Sequence, residues 1–159
     1  MTAWTKLSEA GGVVCVSGRA DEKIITGKAD GSAKAGYLVS VMDTGTLAAT
    51  SGDIKAIAVA GDATDWFTGI LLEKYNTDCD AAVADGDLVE IVIPRGGHLY
   101  NVAISAAGAT YEAGDVLDFP AADAGKMAVQ GAGLEDNDYW AILTQQVTAT
   151  SEFAEVVFV

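Results

Sequence analysis

Ala35-Gly36-Tyr37-Leu38-Val39 and Ala113-Gly114-Asp115-Val116-Leu117 open two similar stretches of this chain, and their likeness decides the fold. Each opening leads through a small-residue turn and an apolar run to an acidic loop, a tryptophan and a second apolar run. In the first copy this is Gly61-Asp62-Ala63-Thr64-Asp65-Trp66-Phe67-Thr68-Gly69-Ile70-Leu71. In the second it is Leu134-Glu135-Asp136-Asn137-Asp138-Tyr139-Trp140-Ala141-Ile142-Leu143. Leu88-Val89-Glu90-Ile91-Val92-Ile93 closes one copy and Ala154-Glu155-Val156-Val157-Phe158-Val159 the other. The runs are short and rich in branched and aromatic side chains, which fit a pleated surface. Two pseudo-repeated β-units are expected.

Working outward, eleven strand candidates fall at 13–17, 23–27, 36–42, 55–59, 66–75, 87–93, 99–105, 116–119, 127–130, 139–148 and 153–159. Between them stand Asp30-Gly31, Gly52-Asp53, Gly61-Asp62, Asp85-Gly86 and Gly114-Asp115, steps that suit tight turns. The clearest hairpin joins Leu88-to-Ile93 to Leu99-to-Ile104 through Pro94-Arg95-Gly96-Gly97-His98. Val89, Ile91 and Ile93 share a face that should meet a core. Helical periodicity is nearly absent, with one short helical turn expected near 80–84. The fold class is therefore all-β: a small barrel, tulip-like barrel or sandwich, with an extended N-terminal arm. The arm takes residues 1–34 and the body 35–159, with a weak internal break near 106–110.

The 159 residues carry a net charge of −14. This charge argues against nucleic acid as a partner, because phosphate binding needs a clustered basic surface. An anionic membrane surface is disfavoured for the same reason. The charge is uneven. Residues 1–34 hold five basic groups (Lys6, Arg19, Lys23, Lys28, Lys34) and four acidic ones (Glu9, Asp21, Glu22, Asp30), a net of +1, which leaves −15 for the body. A near-neutral arm can lie on an acidic neighbour where the body cannot. The N-terminal Met1-Thr2-Ala3-Trp4-Thr5-Lys6 does not read as a signal peptide, and no apolar run is long enough for a membrane helix. Synthesis in a host cytoplasm is expected.

Chemistry-bearing residues are sparse. His98 is the single histidine, set after Gly96-Gly97 in what reads as an exposed turn without a nucleophile motif nearby. Cys15 and Cys79 sit among apolar or small neighbours and read as inert thiols. Asp136-Asn137-Asp138 and Asp78-Cys79-Asp80 offer oxygen ligands of the kind calcium prefers, without the ladder of an EF-hand. These acidic turns read as solvated loops, so no metal or other cofactor is expected, and no enzyme. Trp66 and Trp140 hold equivalent places in the two copies, as core anchors or subunit contacts. Trp4, Leu7, Val13, Val14, Ile24 and Ile25 give the arm an apolar series suited to a neighbour's sheet edge.

The second copy, with its Ala113-Gly114 step into Val116-Leu117, its Gly125-Lys126-Met127 turn and its Trp140-Ala141-Ile142-Leu143 strand before the terminal run, resembles the capsid decoration (cement) proteins of tailed bacterial and archaeal viruses. The likeness covers residues 30–159. It implies a small β-barrel or β-tulip on the outside of an icosahedral shell, often a trimer, with an N-terminal arm reaching toward the major capsid protein lattice. A structural, non-catalytic virion protein is the resulting expectation. A tail-tube or spike subunit, and a glycan-binding β-module, are the alternatives. Deleting residues 1–20 is expected to abolish particle binding while leaving a folded β-protein.

Overall fold

Strands β1 (Lys23–Ala29), β2 (Leu38–Met42), β3 (Lys55–Val59), β4 (Gly69–Leu71) and β5 (Leu88–Ile93) pair in the circuit β1-β3-β2-β4-β5 in the computed structural model, and β5 returns to β1. The structure describes residues 4–29, 33–42, 55–59, 69–74, 78–105, 110–118, 125–129, 141–148 and 150–159. Within the circuit only β1 and β3 run parallel, and that pair closes the barrel. Strands β6 (Leu99–Ala103), β7 (Val116–Asp118), β8 (Ala128–Val129), β9 (Ala141–Leu143) and β10 (Phe153–Phe158) form a second sheet in the order β6-β10-β9-β7-β8.

The second sheet repeats the first, register for register. Leu38 faces Ile70 and Val39 faces Gly69, as Val116 faces Ile142 and Leu117 faces Ala141. Ile70 faces Val92 and Leu71 faces Ile91, as Ile142 faces Val157 and Leu143 faces Val156. Ile24 faces Val92 as Leu99 faces Val157. Even the closing step recurs: the parallel Ala29–Ile57 pairing of the barrel has its counterpart in a single parallel bridge between Ile104 and Met127. The openings are also built alike. Gly36 N–H donates to Leu71 C=O at 2.8 Å and Gly114 N–H to Leu143 C=O at 2.8 Å, while the amides of Leu71 and Leu143 answer to Tyr37 and Asp115 at 2.9 Å.

Alternation along the strands assigns the two faces. Val39, Leu71, Val89 and Ile91 form a small cluster with Ala29, Ile25, Ala33, Val83 and Ile93 inside the first barrel. Their neighbours Leu38, Ile70 and Val92 point the other way, into a larger core with Tyr100, Leu117, Leu143, Val156 and Phe158 of the second unit. Strand β4 is therefore buried on both faces along its whole length. Such a strand must be apolar at every position, which Gly69-Ile70-Leu71 satisfies.

The expected hairpin does not form. β5 pairs with β1 and β4, and β6 pairs with β10, so residues 94–98 carry the chain from the first unit to the second. The face of Val89, Ile91 and Ile93 meets a core as expected, because alternation fixes facing but not the identity of the pairing partner. The break read near 106–110 lies between β6 and β7, within the second unit, and β1 of the expected arm is a barrel strand. Residues 13–17 make only one bridge, Cys15 to Tyr100, and the 3-10 turn of the described residues is Leu7–Ala10 rather than a turn near 80–84.

The joint between units leaves no room at Gly36. Its φ is +87°, and a Cβ there would stand 2.9 Å from Cε1 of Phe153 and 3.4 Å from the Asn101 carbonyl oxygen. Its counterpart Gly114 has φ +96° but open space around it. Gly114→Ala should therefore cost about 1 kcal/mol for backbone strain alone, and Gly36→Ala about 2–4 kcal/mol once overpacking is added. Denaturant unfolding of the two variants checks this; equal losses would contradict the close approach.

Candidate interaction surface

Residues 4–22 form a strap across the outside of the second unit. Trp4 bridges Phe153 at one edge of β10, its carbonyl accepting from the amides of Glu152 (2.6 Å) and Phe153 (3.1 Å). The strap then crosses to β6, where Asn101 donates its amide hydrogens to Ala10 O (3.2 Å) and Val13 O (2.7 Å), and Val16 N–H reaches Leu99 O at 3.2 Å. Val14 to Val16 run antiparallel to β6 through the Cys15–Tyr100 bridge, the Asn101 amide donating to Val14 O at 2.9 Å, and the buried Asn101 side chain holds carbonyls that this short pairing leaves over.

Three polar ties fix the strap to the first unit. Ser8 donates its amide to Asp80 Oδ1 at 3.0 Å and its hydroxyl to Oδ2. Glu73 accepts the Val14 amide at 2.9 Å and the Arg19 guanidinium at 2.7 Å. Arg19 also reaches Glu90 at 3.1 Å. Burial of Arg19 works against its charge, but the bond and charge of Glu73 outweigh that and its pKa is raised. At Asp80 burial again opposes ionisation, while the Ser8 hydrogen bonds and the Lys6 charge prevail and hold the carboxyl below its ordinary range.

A further tie lies where residues 94–98 cross between units. Glu22, almost wholly buried, accepts the Tyr100 hydroxyl at 2.6 Å and meets His98 Nδ1 at 2.5 Å. The Tyr100 oxygen in turn accepts the Arg95 amide at 2.9 Å, and the Arg95 guanidinium donates to Asp21 O at 2.5 Å. Burial and the bond to Glu22 push the Tyr100 phenol well above its usual range. His98 is thus half-buried and partnered, not the exposed turn residue its glycine neighbours suggest. The arrangement binds two loops together.

The remaining chemistry-bearing groups are similarly engaged. Cys15 is buried, and burial with the nearby Glu22 and Glu73 pushes its thiol up to about 11, so little thiolate forms at neutral pH. Asp78 Oδ1 accepts the Asp80 amide at 2.9 Å and Asp80 is held by Ser8, so the Asp78-Cys79-Asp80 cluster serves its own turn and the strap. Asp136, Asp138, Trp66 and Trp140 lie outside the described residues.

The six apolar candidates of the N-terminal segment separate clearly. Leu7 and Val14 are fully buried in the chain's own core, and Trp4 packs half-buried against it. Ile24 packs on the shared core and Ile25 inside the first barrel. Val13 alone among them is exposed, at 41%. Sequence reasoning missed the residues that hold the strap, Glu73, Asp80 and Asn101. Nothing in the local pattern distinguishes these from other polar residues.

No family model and no curated protein matches the chain. Among solved structures it is similar to the head fiber gp8.5 N base of bacteriophage phi29, at 14% identity, covering 87% of this chain and 94% of that one with a TM-score of 0.54. It is also similar to a chain in the capsid of Myoviridae phage XM1, at 18% identity, covering 92% of this chain and 87% of that one with a TM-score of 0.55. At these identities the likeness establishes a shared fold over nearly the full length of all three chains.

The burial of Leu7 and Val14 changes what truncation should do. Removing residues 1–20 would uncover the core, so the shortened chain is expected to lose cooperative unfolding rather than remain folded; Leu7→Ala alone should cost about 2–5 kcal/mol. Circular dichroism with denaturant decides the matter, and an undiminished midpoint would contradict the packing. Asp80 adds a pH dependence. A carboxyl held low in the folded state contributes stability above its unfolded pKa, about 4, and loses it as pH falls through the folded value. The stability gap between the native chain and Asp80→Asn should therefore be full at neutral pH and close on acidification.

Proposed function

We propose that this chain is a structural, non-catalytic virion protein that decorates the outer surface of an icosahedral capsid and stabilises it. The observation that carries the reading is the two-unit β fold, shared end to end with chains from a phage head fiber base and a phage capsid. The charge distribution supports it: a strongly acidic body suits solvent and keeps copies apart until a specific contact forms. The major capsid protein lattice is the proposed partner, and the assembled form a symmetric oligomer, a trimer. Within the N-terminal segment, Val13 is proposed to meet a neighbour, since it is exposed, with the half-buried Trp4 as a second candidate. Leu7 and Val14 serve that contact by holding the strap. Trp66 and Trp140 are proposed as anchors of the two units.

The test is to quantify this protein by mass spectrometry in purified virus particles, relative to the major shell protein. Near-stoichiometric abundance is expected. A few copies per particle would instead favour a tail or spike component, and absence from particles would overturn the proposal. Val13→Glu should weaken particle binding at least several-fold with an unchanged unfolding midpoint, because the residue is solvent-facing in the free chain.

A further inference from the structure

The internal repeat shows which surfaces this fold uses to stack one unit on another, and each unit has one such surface left over. Leu38, Ile70, Val92 and Ile24 form a continuous row across β2, β4, β5 and β1 on the outside of the first barrel. Three of the four are fully buried, and all pack into the core shared with the second unit and the strap. The corresponding row on the second unit is Val116, Ile142, Val157 and Leu99, across β7, β9, β10 and β6. It is equally apolar, yet every member is partly open to solvent.

The other end of the same outer face behaves in the complementary way. On the second unit, Phe153, paired with Ala103, is buried against the joint: its ring lies 6.4 Å from that of Tyr37, and the Ala103 amide donates to Gly36 O at 2.8 Å. In the first unit the equivalent pair is Leu88 with Lys28. Leu88 is 56% exposed, the most exposed large apolar residue apart from the C-terminal Val159 among the described residues. It borders a groove of about 420 Å³ whose lining includes Thr26, Leu72 and Val83 together with the charged Arg19, Glu73, Lys74 and Glu90. One chain thus carries both halves of a contact it already makes once internally. The two halves lie on different units, Leu88 on the first and the open row on the second.

We infer that a second copy of this chain docks head to tail, its Val116–Ile142–Val157 row covering Leu88 and the adjoining groove of the first copy. Charge agrees with this pairing. Where the internal joint places Ala103 beside Gly36 and Tyr37, the intermolecular one places Lys28 beside Gly114 and Asp115, opposite charges at the rim. A contact between unlike surfaces propagates, and it closes into a ring when the rotation between copies permits. The inference stands on the internal repeat alone, so it can fail or succeed independently of the capsid reading.

The experiment uses the full chain, with Leu88→Arg and Ile142→Arg made separately; both residues point outward, and Val116→Arg replaces Ile142→Arg if that variant does not fold. Native mass spectrometry and sedimentation velocity should find the unmodified chain assembled and each variant monomeric with an unchanged circular dichroism spectrum. Mixing the two variants should restore one contact only, because each retains the surface the other lacks, and yield a 1:1 heterodimer that grows no further. A monomeric unmodified chain, assembly that survives either substitution, or a mixture that stays monomeric would each overturn the head-to-tail contact.

Discussion

Burial of the outer row of the first barrel is the constraint on which the rest of the architecture depends. Leu38, Ile70 and Val92 are as apolar as the residues inside the barrel, so the first unit has two faces to remove from water. Fully burying side chains of this size is worth roughly 1.5–3 kcal/mol each, a large share of a small domain's net stability. The second unit supplies the cover, and its own interior merges with the interface into one core. A barrel with only its internal cluster of small and medium side chains would be marginal; stacking two makes the core large enough. Gly36 then has to be glycine because the stacking distance is set by Phe153 against its Cα.

The strap solves a polar problem created by that stacking. A segment that joins the sheet through only two bridges leaves most of its backbone groups to other partners. Asn101 supplies donors from below, and Glu73 and Asp80 supply carboxylates from the side. The carboxylates come from the first unit and the amide from the second, so the strap is held only when both are in place. Its hydrogen bonds therefore report the assembled state of the two units rather than the stability of either.

Much of this is legible in the sequence. The repeated Ala-Gly openings mark two of the positive-φ turns, the strand positions come from the branched runs, and the alternation of Val89, Ile91 and Ile93 assigns an inner face. Pairing at a distance is not legible. Nothing in Leu88-to-Ile93 distinguishes a strand whose successor lies beside it from one whose successor lies in another sheet, since both need the same alternation. The parallel closure of β1 on β3 is equally silent, because its residues read as ordinary strands. The apolar series from Trp4 to Val14 announces that something is covered, but burial within the same chain and burial against a neighbour leave the same composition. His98 reads as exposed because its partner, Glu22, stands far from it in sequence.

The strap also imposes an order on synthesis. Trp4 is made well before Phe153, on which it rests. The first barrel, complete at Ile93, has every strand it needs well before that and can close while the second is still being translated. During that interval Leu38, Ile70 and Val92 have no cover, and the strap has nothing to lie on. The nascent chain therefore carries an exposed apolar row until the second unit follows, and the strap docks only once β10 has been made.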